Sequence, residues 1–92
     1  MQTKTLKVVE QSEKVLVQSR KQEVGQIAKC TLLLREFGGE HTDVYVCTLF
    51  GAMAEFQFEE GQTVDAALRF TYHKGTNGTY YQDILINEIE IL

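Results

Sequence analysis

Thr63-Val64-Asp65-Ala66-Ala67-Leu68-Arg69-Phe70-Thr71-Tyr72-His73-Lys74 alternates along its whole length, and Gly75-Thr76-Asn77-Gly78 follows directly. Val64, Ala66, Leu68, Phe70 and Tyr72 fall on one side, with Asp65, Ala67, Arg69, Thr71 and His73 on the other. A period of two is the signal of a strand, not of a helix. The Asn-Gly dipeptide takes positive φ readily, so 74–78 reads as a hairpin loop into a final strand from about Thr79 to Leu92.

Working back from this hairpin, the same period recurs between glycines and polar clusters. A first long strand runs from about Thr5 to Gln18, with Leu6, Val8, Val15 and Val17 marking the alternation. Its polar middle, Glu10-Gln11-Ser12-Glu13, reads as a bend or bulge. Ser19-Arg20-Lys21-Gln22 makes a turn, and Val24 to Phe37 is a second strand. Ala28, Cys30, Leu32 and Leu34 form its core side, whereas Ile27, Lys29, Thr31, Leu33 and Arg35 form a partly exposed, partly basic side. Gly38-Gly39-Glu40 leads to a third strand, Asp43 to Phe50, rich in β-branched and aromatic residues. Between Gly51 and Phe58 the pattern changes to helix formers, Ala52-Met53-Ala54-Glu55, enough for one or two turns. Three strands, a short helix and a two-stranded hairpin is the order of an all-β, five-stranded OB barrel, whose closure removes exposed sheet edges.

With 92 residues the chain has room for one core, so 1–92 reads as a single domain. A composition 43% hydrophobic and 24% charged is that of a soluble globular protein, and no apolar run is long enough to span a bilayer. No membrane partner is expected. The start lacks the apolar stretch and cleavage site of a secretory signal, so a cytoplasmic protein is expected. Cys30 and Cys47 lack CxxC spacing, and His41 and His73 are isolated, so no metal or cofactor is expected. Both cysteines read as small core residues. Glu55, Glu59 and Glu60 lie near the short helix, away from any recognisable nucleophile or metal set, so catalysis is not expected.

Leu49-Phe50-Gly51-Ala52-Met53-Ala54-Glu55 resembles the third-strand-to-helix junction of bacterial single-stranded-DNA-binding proteins, a Leu-Phe-Gly-x-x-Ala-Glu run. Downstream, Glu60-Gly61-Gln62-Thr63-Val64 is similar to that family's Lys-Gly-x-x-Val lead-in to the fourth strand. Gly78-Thr79-Tyr80-Tyr81-Gln82-Asp83-Ile84 resembles its lead-in to the fifth, and Ile86-Asn87-Glu88-Ile89-Glu90-Ile91-Leu92 the end of its core domain. Together these span roughly the second half of the chain, in the right order.

The resemblance implies an OB-fold core domain that holds single-stranded DNA or RNA without sequence preference. The contacts would come from the outward face of the second and third strands and from the loops joining first to second and fourth to fifth. Bases offer π-faces to aromatic rings, and cations track phosphates. Phe50 corresponds to a base-stacking phenylalanine of the family, the alternative being that it packs beneath the helix with Phe56 and Phe58. Parity places Val44, Val46 and Thr48 beside it on the outward face. Tyr72 and Tyr80 flank the last loop as candidate stacking residues, together with Tyr81. Arg20, Lys21, Lys29, Arg35, Arg69 and Lys74 are the candidate phosphate contacts. A homo-oligomer, dimer or tetramer, is also implied, since the family pairs subunits through the first strand.

Three features pull toward an alternative, an OB-fold protein-protein interaction module that has lost nucleic-acid binding. The formal net charge is -4, there is no tryptophan where the family stacks bases near Val44 and Gly75, and the sequence stops with the last strand, short of the family's linker and acidic tip. A contiguous positive strip over Lys29, Arg35 and Arg69 favours nucleic acid; a neutral or negative face favours the alternative.

Overall fold

The computed structural model describes residues 2–18 and 25–92. Its elements are β1 (Gln2–Gln11), β2 (Val15–Gln18), β3 (Gln26–Glu36), β4 (Val44–Phe50), α1 (Ala52–Glu55), β5 (Thr63–Lys74) and β6 (Tyr80–Ile91). The expected order is present, with the first strand divided into β1 and β2 at the polar segment 12–14. Arg20 and Lys21, and the turn expected around them, lie outside the described residues.

The division has a local cause. Val8 pairs with Leu34 and Glu10 with Leu33, so Val9 is an extra residue in β1. At Ser12 the backbone N–H still donates to the Thr31 carbonyl (2.9 Å), but Thr31 N–H turns to Ser12 Oγ (2.8 Å). The ladder thus passes from backbone to side chain, as short hydroxylated residues permit. Gln11 completes the break: its Oε1 accepts from Phe58 N–H and its Nε2 donates to the Phe56 carbonyl, both at 2.8 Å.

Pairing runs β1–β5–β6–β4–β3 and returns to β1 through a second pairing of β1 with β3, so the sheet closes. Every step is antiparallel except β4–β6, a parallel contact at Thr48 and Leu85. β2 hangs on β3 alone, its outer edge unpaired among the described residues.

Inside the ring Leu6, Val8, Leu32, Leu34, Cys47, Leu49, Val64 and Leu68 are fully buried. Each large aliphatic contributes about 1.5–3 kcal/mol on burial. Cys30 is buried too, and its thiol donates to the Ala54 carbonyl (3.8 Å), while burial pushes the Cys47 thiol up to about 12. Helix α1 closes one end of the barrel with Ala54, and Phe58 follows it inward. Gly51 makes the corner into α1 at φ 67° and ψ -135°, a region only glycine occupies without strain. Its N–H bonds Ala28 O (2.9 Å) and its carbonyl receives Ala54 N–H (3.0 Å), so β4 stops at Phe50 and points that ring outward.

Candidate nucleic-acid interface

The outward positions of β3 and β4 lie opposite one another: Lys29 by Phe50, Thr31 by Thr48, Leu33 by Val46 and Arg35 by Val44. The alternation that buries Ala28, Cys30, Leu32, Leu34, Cys47 and Leu49 leaves this second set outside. Phe50 is 36% exposed, with Lys29 Nζ 5.9 Å from the ring centroid. It does not pack with Phe56 and Phe58, which instead form an edge-on pair at 4.7 Å beyond α1. β2 extends the face, since Val15 and Val17 pair with Lys29 and Ile27.

No carboxylate occupies an outward position of β3 or β4; the nearest on the same wall is Glu10 of β1, opposite Leu33. Lys29 and Arg35 stand at opposite ends, roughly 20 Å apart for six residues of strand. Thr31 with Thr48 and Leu33 with Val46 fill the middle, and Val46 is 61% exposed. The positive strip is therefore not continuous: two cations bracket an uncharged surface of two threonines, Leu33 and Val46. Arg69 does not join them. It pairs with Leu85, which meets Thr48, so Arg69 sits two strands around the barrel, about 10 Å from Thr48.

Beyond Arg69 and Leu85 the β5–β6 hairpin has no further ladder partner among the described residues and projects from the barrel. Ala67 pairs with Glu88 but Leu68 with Ile86, a bulge at Asn87 just before the last barrel contact, Leu85 with Thr48. The side continuous with the core carries Phe70, Tyr72, Lys74, Tyr80, Gln82 and Ile84. Tyr72 and Tyr80, each 67% exposed, lie 5.9 Å apart as diagonal neighbours, and Lys74 Nζ is 5.4 Å from the Tyr80 centroid. The structure thus brings Tyr72, Lys74 and Tyr80 together. Tyr81 is on the opposite side, stacked on His73 at 5.1 Å, and His73 Nδ1 meets Asp83 Oδ2 at 2.7 Å. Gly75 N–H to Thr79 O (2.8 Å) and Thr79 N–H to Asn77 Oδ1 (3.0 Å) hold the turn, with Gly78 at φ 84°.

Phe70 escaped the sequence reading, which set it on one side of the strand with Val64, Ala66, Leu68 and Tyr72 and gave it no role. Parity was right, but the hairpin outruns the barrel, so its ring is exposed and, among the described aromatic rings, meets Tyr45 edge-on at 6.5 Å. Tyr45 is itself held at the barrel end, its hydroxyl donating to Glu36 Oε2 (3.0 Å), where Lys4 also arrives (3.4 Å).

No family model matches the chain, and no curated protein matches it. Among solved structures it is similar to the second OB-fold domain of replication protein A from Methanococcus maripaludis, determined in solution by NMR. The TM-score is 0.70 at 19% identity, covering 98% of this chain and 81% of that one. At such low identity the likeness speaks for architecture alone, and it agrees with the closed ring of strands: the chain has the OB fold.

Proposed function

We propose that the chain binds single-stranded nucleic acid, DNA in the first instance, without sequence preference across the outward face of β3 and β4, with the β5–β6 hairpin as a flanking arm. The observation that carries this reading is an exposed ring with a cation over it, Phe50 with Lys29, on a pair of strands whose outward positions hold two cations and no carboxylate. A base stacks on such a ring and its phosphate reaches the ammonium. Resemblance to bacterial single-stranded-DNA-binding proteins and likeness to a domain of replication protein A support it. Net charge of -4 does not forbid it. Fields between exposed charges fade over about 8 Å at physiological ionic strength, so Asp65, Glu88 and Glu90 on the β5–β6 wall weigh little at the β3–β4 face. Self-association through the open edge of β2, where Val15 and Leu16 are exposed, belongs to the same proposal.

The test is anisotropy of labelled oligo-dT with wild type, Phe50→Ala and Phe50→Leu. Loss of one stacked base, about 1–3 kcal/mol, weakens binding roughly 5- to 140-fold. Three phosphate contacts give a log–log salt slope near -2, or roughly 20-fold weakening from 50 to 200 mM salt. Absence of binding at low salt refutes the proposal, and unchanged binding by both variants refutes the stacking role. The exposed valines of β4, Val44 and Val46, beside half-buried Leu33, favour a second reading, a protein-binding module, which absent oligo-dT binding would promote.

A further inference from the structure

Lys7 of β1 stands directly opposite Arg35 of β3 in the antiparallel register. Leu6, Val8 and Leu34 are buried, so both cationic side chains point outward from the same wall of the barrel. Side chains so placed start about 5 Å apart, and like charges there repel. Nothing described neutralises them. The ion pairs among the described residues are Lys4–Glu36, Lys14–Glu55 and His73–Asp83, none of which includes Lys7 or Arg35. Arg35 has one long hydrogen bond, from Nη1 to Thr42 Oγ1 at 3.4 Å. Glu36, its neighbour in sequence, is held by Lys4 and Tyr45 at the barrel end. Both cations line a shallow depression of about 300 Å³, together with Val8, Val9, Glu60 and Gly61. Glu60 reaches its rim without pairing to either cation within 4 Å.

We infer that Lys7 and Arg35 together form one oxyanion site, which takes a single phosphate group of a nucleic-acid strand. The inference rests on the proposed function and extends it by one strand. Across the wall the order is Val44, Arg35, Lys7, Thr63, so Arg35 belongs to both the β3–β4 face and this depression. A strand that stacks on Phe50 and follows the face toward Val44 meets the pair last. Arg35 supplies a planar fork of donors and Lys7 a compact point charge, a combination suited to one tetrahedral anion.

The experiment is the salt slope of oligo-dT binding for wild type, Lys7→Gln, Arg35→Gln, the double variant and Lys14→Gln as a surface control. One shared phosphate predicts that each single change flattens the slope measurably but by less than about 0.7, that the double change flattens it by about 0.7 in total, and that Lys14→Gln leaves it unchanged. A Lys7→Gln slope equal to wild type overturns the site while leaving the proposed function standing. An additive loss near 1.4 shows two separate phosphate contacts and overturns the shared site. Thermal melting in inorganic phosphate against chloride at matched ionic strength covers the remaining case. If wild type binds no oligo-dT yet phosphate raises its Tm through Lys7, the anion site stands and its source is free phosphate, so the nucleic-acid assignment falls. No binding and no rise overturns both.

Discussion

Gln11→Leu tests how the first strand is broken and held. The native amide accepts Phe58 N–H and donates to the Phe56 carbonyl, both at 2.8 Å, with a weaker approach of Nε2 to Cys30 Sγ at 3.5 Å. Phe58 N–H is half-buried beside a ring that is 5% exposed, so leaving it unmet costs about 1–3 kcal/mol. The Phe56 carbonyl is open to water and recovers most of its loss. Leucine at this half-buried position regains some apolar burial, about 1 kcal/mol at most. The net expectation is a loss of about 1–2 kcal/mol, read as a fall in the urea midpoint of roughly 1 M with the slope of the transition unchanged. Gln11→Glu sharpens the test. It keeps the acceptor for Phe58 N–H but sets a carboxylate against the Phe56 oxygen, so its deficit shrinks as pH falls below about 4.3, where the protonated acid again donates. A Gln11→Leu variant within about 0.5 kcal/mol of wild type would show that the amide is a bystander and that the β1–β2 break is held by Ser12 alone.

Two further outcomes follow from backbone geometry and from charge. Gly51→Ala meets no clash, since a Cβ there would lie 3.7 Å from Ile27 Cδ1, yet φ of 67° makes it cost about 1–3 kcal/mol in thermal or urea unfolding, and wild-type stability would refute the strained corner. Glu36 has its pKa held below the ordinary carboxylate range, chiefly by the Tyr45 hydroxyl and then by Lys4. A depressed folded value contributes stability above the unfolded pKa that is lost as pH falls through the folded one. Glu36→Gln therefore flattens the acid limb of the stability–pH curve, and an unchanged limb would show that the carboxylate is idle.

Element order was legible because alternation survives wherever one face is buried. β5 matches its expected bounds, Thr63–Lys74, and β3 splits into the anticipated core and outward sets. The bend at 10–13 was legible too, since a polar interruption of an apolar rhythm has to be served by side-chain hydrogen bonds. Register was not. Lys7 and Arg35 are 28 positions apart, and only the pairing of β1 with β3, shifted at Val9, sets them face to face. The same blindness let Arg69 be grouped with Lys29 and Arg35: parity tells inside from outside, but not which side of a closed cylinder. Phe70 shows a third limit, for periodicity carries no information about where a barrel ends and a projecting arm begins.

The point where β6 leaves β4, just past the bulge at Asn87, divides the molecule mechanically. Past the last barrel contact of β6, Leu85 with Thr48, β5 and β6 have only each other as ladder partners among the described residues, whereas nearer the barrel β5 is bonded on both sides. A two-stranded ribbon of this kind flexes at its base without disturbing the enclosed leucines. Its amides should accordingly exchange with deuterium through small local openings, while those of Leu32 and Leu49 wait for global unfolding. The tip of the arm and the cylinder thus keep separate clocks.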